Sequence, residues 1–213
     1  MVRDIKPEKL FHYNGLTIGL HNQVYDPAED SFLLLDTLSF SEEESVFEVG
    51  TGCGLLAIEA CRQGAVVVCS DINPYAVQIT HHNIQQNKQN LHGRIQVREG
   101  DLFSVLTQSE KFDTIVFNPP YLPISNKETI NRWIDTATNG GKDGLAVTKR
   151  FLKEVGDYLK PDGCAYFVFS SLSKKTKLHH ILQKMHLSYE TVASQHFLDE
   201  SLEIYRIQNI KQR

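Results

Sequence analysis

Val46-Phe47-Glu48-Val49-Gly50-Thr51-Gly52-Cys53-Gly54, followed by the helical run Leu55 to Arg62, is the stretch that decides the fold. A short apolar strand runs into a turn of alternating glycines, and a helix follows. The same order recurs downstream. Ala65 to Asp71 reads as a second strand, and Pro74 then opens a helix where its missing N–H is no loss, running to about Lys88. Arg94 to Arg98 is a third strand, leading to Gly100-Asp101-Leu102-Phe103. Thr114-Ile115-Val116-Phe117 is a fourth, apolar throughout as a strand buried on both faces should be. Gly144 to Leu159 reads as a helix stopped by Pro161-Asp162-Gly163, Cys164 to Ser170 as a fifth strand, and Lys174 to Met185 as a helix. Two final strands, near Glu190 to Ser194 and Leu202 to Ile207, lie close in sequence and predict an antiparallel hairpin at one edge. The class is α/β: a seven-stranded, mostly parallel sheet with that edge hairpin and helices on both faces.

Upstream, Phe11-His12-Tyr13 and Leu16-Thr17-Ile18 flank Asn14-Gly15, the signature of a tight β-hairpin. Val24-Tyr25-Asp26-Pro27-Ala28-Glu29-Asp30-Ser31-Phe32-Leu33-Leu34-Leu35 comes next. Asp26 is expected to cap a helix that Pro27 opens, with Glu29 and Asp30 in its first turn and Phe32, Leu35 and Leu38 on one face. Asp30 and Ser31 beside Tyr25 could also face a cavity, which periodicity does not decide. The 213 residues, 41% hydrophobic and 23% charged, suit a single domain spanning 1–213, with a hairpin extension over 1–23 and a core over 24–213.

The net charge of −4 supplies no global attraction to nucleic acid. Lys174-Lys175-Thr176-Lys177 is the densest basic cluster and reads as a solvated helix start. Cys53, Cys61, Cys69 and Cys164 have no paired ligand spacing, so reduced thiols are expected rather than zinc or disulfides. The adjacent pairs His81-His82 and His179-His180 read as surface residues, and no metal is expected. No run is long and apolar enough to span a bilayer, and the first ten residues mix charged and apolar types without a secretory pattern. A cytoplasmic protein is expected.

In an open α/β sheet, ligands sit beyond the carboxyl ends of the strands. The polar residues converge there: Glu48 and the glycines after the first strand, Asp71 after the second, Asp101 after the third, Asn118 after the fourth. The glycines allow close approach of backbone to a ligand. Their spacing is G-x-G-x-G, not the dinucleotide G-x-G-x-x-G, and Glu48 just ahead would repel an anion. Asp71 suits a grip on ribose hydroxyls, and Asp101 an exocyclic adenine amine with Leu102 against the ring. Each acid alone is equally a loop cap; the set fits a nucleoside with a positive centre, S-adenosylmethionine. Phe117-Asn118-Pro119-Pro120-Tyr121 ends the fourth strand in a stiff, extended loop, because each proline fixes its own φ and restricts the residue before it. One side-chain amide, carbonyls and one aromatic ring then form a clamp for a flat group bearing N–H₂.

Glu48 to Gly54, Asp71-Ile72-Asn73-Pro74 and Asn118-Pro119-Pro120-Tyr121 resemble the motifs of class I methyltransferases that modify planar nitrogens, which have a Rossmann-like fold. Tyr25-Asp26-Pro27-Ala28-Glu29-Asp30-Ser31-Phe32-Leu33-Leu34 resembles the signature of the HemK2/Mtq2 branch, N5-glutamine methyltransferases acting on the GGQ loop of translation release factors. The resemblance runs from about Tyr25 through the last strand, without the helical N-terminal domain of the bacterial branch. It implies that Glu48, Gly50, Thr51 and Gly52 hold the amino-acid end of S-adenosylmethionine with help from Ser31. Asp71 would take the ribose, Asp101 and Leu102 the adenine, and Asn118 would border both cofactor and substrate. The Asn118 side-chain oxygen and the Pro119 carbonyl would accept the two hydrogens of the substrate amide, with Pro120 stiffening the clamp and Tyr121 packing on the flat group. Relatives in eukaryotes and archaea pair with a small zinc-binding activator, Trm112, along a sheet edge. The expected edge strand here, Arg94 to Arg98, carries charges that protect an edge without a partner. The alternative function is N-methylation of an RNA or DNA base, at adenine N6 or guanine N2, since those groups are also planar N–H₂. Pro123 to Asn139, with the single Trp133, is read either as a lid or recognition segment or as a plain surface helix. Gly140-Gly141-Lys142-Asp143-Gly144 is read as a family loop or a helix-entry turn.

Overall fold

The computed structural model of the protein describes residues 5–123 and 132–210. Among these, the N-terminal hairpin pairs β1 (Lys9–Tyr13) with β2 (Leu16–Leu20). Asn14 and Gly15 both take the positive φ values, 45° and 78°, that such a turn needs. The helix α1 (Glu29–Thr37) follows, then β3 (Ser45–Val49), α2 (Leu55–Arg62), β4 (Val66–Asp71), α3 (Pro74–Gln86), β5 (Arg94–Glu99) and β6 (Phe112–Phe117). Beyond the undescribed residues come α4 (Trp133–Thr138), α5 (Ala146–Glu154), β7 (Leu159–Ser170), α6 (Lys175–Lys184), β8 (Leu187–His196) and β9 (Ser201–Asn209).

The main sheet has seven strands in the order β5-β4-β3-β6-β7-β9-β8. The first five are mutually parallel, while β9 runs antiparallel to both β7 and β8, which gives the edge hairpin expected from sequence. Chain order runs outward from β3 in one direction and from β6 in the other. The switch point therefore lies between those two strands, and their carboxyl ends are level there, with Val49 opposite Phe117. Side chains alternate across the sheet. Val46, Val116 and Val168 pack on the side of α2 and α3, and Phe47, Ile115, Phe117 and Phe167 on the side of α5 and α6. The same alternation turns Glu48 to the α2 side, beneath the glycine turn.

Two asparagines one turn apart, Asn83 within α3 and Asn87 capping its end, hold the hairpin. The Asn83 oxygen accepts from the Gly19 N–H at 2.7 Å, and its amide donates to the Gly19 and Cys53 carbonyls at 2.9 and 2.8 Å. Asn87 does the same for Thr17, at 2.8 Å each way. Each side chain stands in for a strand partner. Replacing Asn83 by alanine should strand three buried backbone groups and cost about 2–3 kcal/mol in denaturant unfolding; an unchanged midpoint would contradict this.

Two boundaries depart from the sequence reading. Asp26 does not cap α1 and Pro27 does not open it. The helix begins at Glu29 after an extended Ala28, φ −132°, whose N–H is approached by the Ser31 Oγ at 3.5 Å. Asp26 turns outward to Lys9, 3.5 Å away. The later start rolls Asp30 inward, where it is only 3% exposed. At the other end of the chain, α5 stops at Glu154 and a short 3-10 turn carries it to Tyr158. Pro161-Asp162-Gly163 lies inside β7 instead of between elements, because the pairing with β6 shifts register there. An irregular register spares Pro161 the ladder bond it cannot make.

Candidate active site

A cavity of about 510 Å³ opens at the switch point, within the range of about 300–1,000 Å³ usual for small-molecule sites. Its walls are the ends of β3, β4 and β6, the loop after β5, and the faces of α1 and α4. Glu48 lines it from β3, Gly50, Thr51 and Gly52 from the turn after β3, Asp71 from β4, and Asp101 and Leu102 from the loop after β5. Ser31 reaches it from α1, and Asn118, Pro119, Pro120 and Tyr121 form the wall that leaves β6. Residues dispersed over ninety positions of sequence thus face one space.

Glu48 is buried, and its Oε2 accepts from the Thr51 hydroxyl at 2.6 Å and from the Ala57 N–H at 3.1 Å. Burial pushes its carboxyl up to about 8, against those two donors, with nearby Asp71 adding to the rise. Asp71 accepts from the Gly52 and Asn73 N–H groups, both at 2.9 Å. Burial raises its carboxyl, and these backbone donors oppose the rise. Gly52 takes φ +58°, and a Cβ there would meet no atom within 4 Å. Its bareness is turned toward open cavity, where a ligand could approach the backbone.

The clamp is held in place from α1. Asp30, whose orientation periodicity left open, is the anchor. Its Oδ2 accepts from the Tyr121 hydroxyl at 3.1 Å and lies 3.5 Å from the Tyr25 hydroxyl, while its Oδ1 accepts from the Ser31 N–H at 2.6 Å and hydroxyl at 3.1 Å. Burial, and then the Asp30 charge, push both phenols well above their ordinary value. Tyr121 is therefore a fixed hydroxyl donor, and its ring is oriented by that bond. Asn118 Oδ1 is buried with no hydrogen-bond partner among the described residues. An unpaired buried acceptor costs on the order of 1–3 kcal/mol, so this oxygen stands ready for a donor.

Asp101 is half-buried and ion-paired to Arg150 at 2.5 Å, which leaves it less free than its position in sequence implies. Leu102 is buried and takes φ +48°. Residues that sequence reasoning did not assign also face the cavity: Ile72, 46% exposed directly after Asp71, and Trp133 and Thr136 of α4. An apolar residue between a strand-end acid and a helix cap was the available signal for Ile72.

The segment after the clamp returns to it. Leu122 donates to the Thr138 carbonyl at 3.0 Å and accepts from the Gly140 N–H at 3.0 Å. So α4 is a wall of the cavity rather than a plain surface helix; the preceding part of the expected lid, 124–131, lies outside the described residues. In the glycine loop, Gly144 takes φ +73°, and a Cβ there would collide with the Tyr121 carbonyl and Ser173. Elsewhere, all four cysteines are buried free thiols, and His179 Nε2 lies 2.9 Å from the Tyr205 hydroxyl. Lys175 and Lys177 of the basic cluster pair with Glu203 and Asp143. No helix among the described residues is long and apolar enough to cross a membrane.

A family model described as the methyltransferase small domain matches residues 23–197. A Methanocaldococcus jannaschii protein carrying the provisional name protein N5-glutamine methyltransferase is 42% identical over 165 residues, 77% of this chain and 81% of its own. Methyltransferase HEMK2 of Homo sapiens is 34% identical over 88% of this chain and 91% of its own. The eRF1 methyltransferase catalytic subunit mtq2 of Schizosaccharomyces pombe is 27% identical over 88% and 90%. Among solved structures, one described as the E. cuniculi Mtq2–Trm112 complex responsible for methylation of the eRF1 termination factor superposes with a TM-score of 0.63. It is 23% identical and covers 88% of this chain and 99% of that one.

Proposed function

The chain belongs to the methyltransferase small domain family, in its HemK2/Mtq2 branch, and on that premise we propose that it methylates the side-chain amide nitrogen of a glutamine in a translation release factor, using S-adenosylmethionine. The observation that carries this reading is the orphaned Asn118 Oδ1 in the wall of a cavity whose other walls hold Glu48 and Asp71.

The cavity fits the cofactor on its own chemistry. Glu48 is a carboxylate for a cationic amino group, Asp71 presents two oxygens to ribose hydroxyls, and Gly52 leaves room for the backbone to be approached. Ile72 and Leu102 are apolar surfaces for a flat ring, with Asp101 at its edge. When bound, the cofactor supplies an electrophilic methyl group already activated on a positive sulfur. Everything else falls to the chain. An amide nitrogen is a poor nucleophile because its lone pair is shared with the carbonyl. Asn118 Oδ1 accepting one amide hydrogen and the Pro119 carbonyl the other would raise electron density on that nitrogen. Held geometry can supply about 7–11 kcal/mol of a barrier. The two prolines fix the direction of the loop, and Tyr121, tied to Asp30, offers its ring face to the flat amide. The nitrogen sheds its extra proton to water after transfer, and Tyr121, held as a donor, takes no part in that step.

The test is methyl transfer from labelled cofactor to an eRF1-type release factor, tRNA, rRNA and DNA, with the modified residue mapped by mass spectrometry. Label on the glutamine of the GGQ loop is expected; label on nucleic acid alone would replace this reading by base methylation. The same reading extends to an activator of the Trm112 type. The strand β5 is one edge of the sheet, with Ile95 and Val97 half-buried against the core and Arg94, Gln96 and Glu99 exposed. Co-expression with such a subunit should raise soluble yield, and an identical yield without it would count against a partner.

A further inference from the structure

On the reading of a protein substrate, we propose that the tip of the β8–β9 hairpin is a docking shoulder for that substrate: Leu198, Phe197 and Leu172 take an apolar side chain, and Asp199 with Glu200 take a basic one.

Topology puts the tip beside the clamp. Because β9 runs antiparallel to β7, with Leu202 opposite Ser170, the turn at 197–200 returns to the carboxyl end of the sheet, where Asn118 lies. Leu198 is 99% exposed, Phe197 and Leu172 about two-fifths so, and Leu122, next to the clamp, 36%. A single exposed leucine needs no explanation, but four large apolar residues along one rim do. The turn is also braced. The Phe197 N–H donates to the Glu200 carbonyl at 2.7 Å, and the Ser170 hydroxyl to the Glu200 carboxylate at 2.6 Å. Ser201 donates its N–H to the Ser171 hydroxyl at 2.8 Å, and two residues on, Ser173 donates to the Tyr121 carbonyl at 3.4 Å. A short chain of bonds thus connects the exposed leucine to the clamp, so a partner seated on one is positioned against the other.

Charge selects the occupant. The charged groups acting on the Tyr25 and Tyr121 hydroxyls are the carboxylates of Asp30, Glu29 and Glu200. Asp30 is buried, so Glu29, Asp199 and Glu200 are the outward carboxylates, with the exposed Lys174 two residues past Leu172. The acidic part of the rim repels a phosphate backbone and favours a polypeptide with a basic side chain near its target. A nucleic acid lacks that combination of an aliphatic side chain and a cationic group on one segment.

The experiment compares intact eRF1-type release factor with a short peptide spanning the target glutamine, which reaches the clamp but not the shoulder. Leu198→Asp touches nothing inside the fold, so it should raise KM for the intact factor about tenfold or more with kcat within twofold, and leave the peptide unchanged. Asp199→Lys should raise KM severalfold at low salt, the difference fading at high salt. Wild-type KM in both variants would overturn the inference, as would equal losses on factor and peptide. A wild-type enzyme that methylates no release factor would instead overturn the functional reading beneath it.

Discussion

Asn118→Ala is expected to lower turnover of the release factor by about 10²–10³-fold, the usual cost of removing one pre-aimed polar group from a reacting centre. Cofactor affinity should stay within a few-fold, because the Asn118 oxygen spends its bond on the substrate amide. The unfilled oxygen also implies a gain in stability: the alanine variant no longer buries an unpaired acceptor, so its thermal midpoint should equal or exceed that of the wild type. Single-turnover methylation, calorimetric cofactor binding and thermal unfolding separate the three effects. Turnover that survives the substitution would remove Asn118 from the mechanism, and a cofactor affinity that collapses with it would move its role from substrate to cofactor.

Glu48→Gln should weaken cofactor binding by about 10–100-fold, the worth of a charge-assisted hydrogen bond to a cationic amine. It should also change how the unliganded chain responds to pH. The folded carboxyl, at about 8, lies above its ordinary value of 4.5. The folded chain therefore keeps a proton that the unfolded chain releases. That contribution is fully present below pH 4.5 and is lost as pH rises through 8, a loss on the order of 5 kcal/mol. Wild-type stability should fall across this window, and Glu48→Gln should lack this fall. Cofactor binding runs the other way. A cation prefers the ionised carboxylate, so wild-type affinity should rise toward pH 9 with release of a proton, and the glutamine variant should show little of that rise. Calorimetry in buffers of different ionisation enthalpy measures the proton directly. Identical pH profiles for the two proteins would show that Glu48 is ionised in the free enzyme.

Local rules sufficed for most of the architecture. Pro74 opening α3, the Asn14-Gly15 turn and the apolar run into Asn118 each express a constraint held within a few residues, and so does the strand–glycine–helix unit from Val46 to Arg62. Parallel strands put the ends of such units on one side of a sheet, which is why Glu48, Asp71, Asp101 and Asn118 could be grouped before their positions in space were known. What needed the folded chain is whatever depends on a partner distant in sequence. The late start of α1 goes with Asp30, ninety-one residues from Tyr121, being buried under two phenols while Asp26 turns out to Lys9. Pro161 lies within β7 because a register shift against β6 tolerates it. The raised carboxyl of Glu48 follows from its burial beneath the glycine turn, the pairing of Asp101 with Arg150 from two loops meeting, and the hairpin tip beside the clamp from β9 reversing along β7. Periodicity and turn chemistry act over a few residues, and they establish the elements and the end of the sheet where ligands bind. Burial, ion pairing and the company of the clamp are long-range properties, decided only when the elements close on one another.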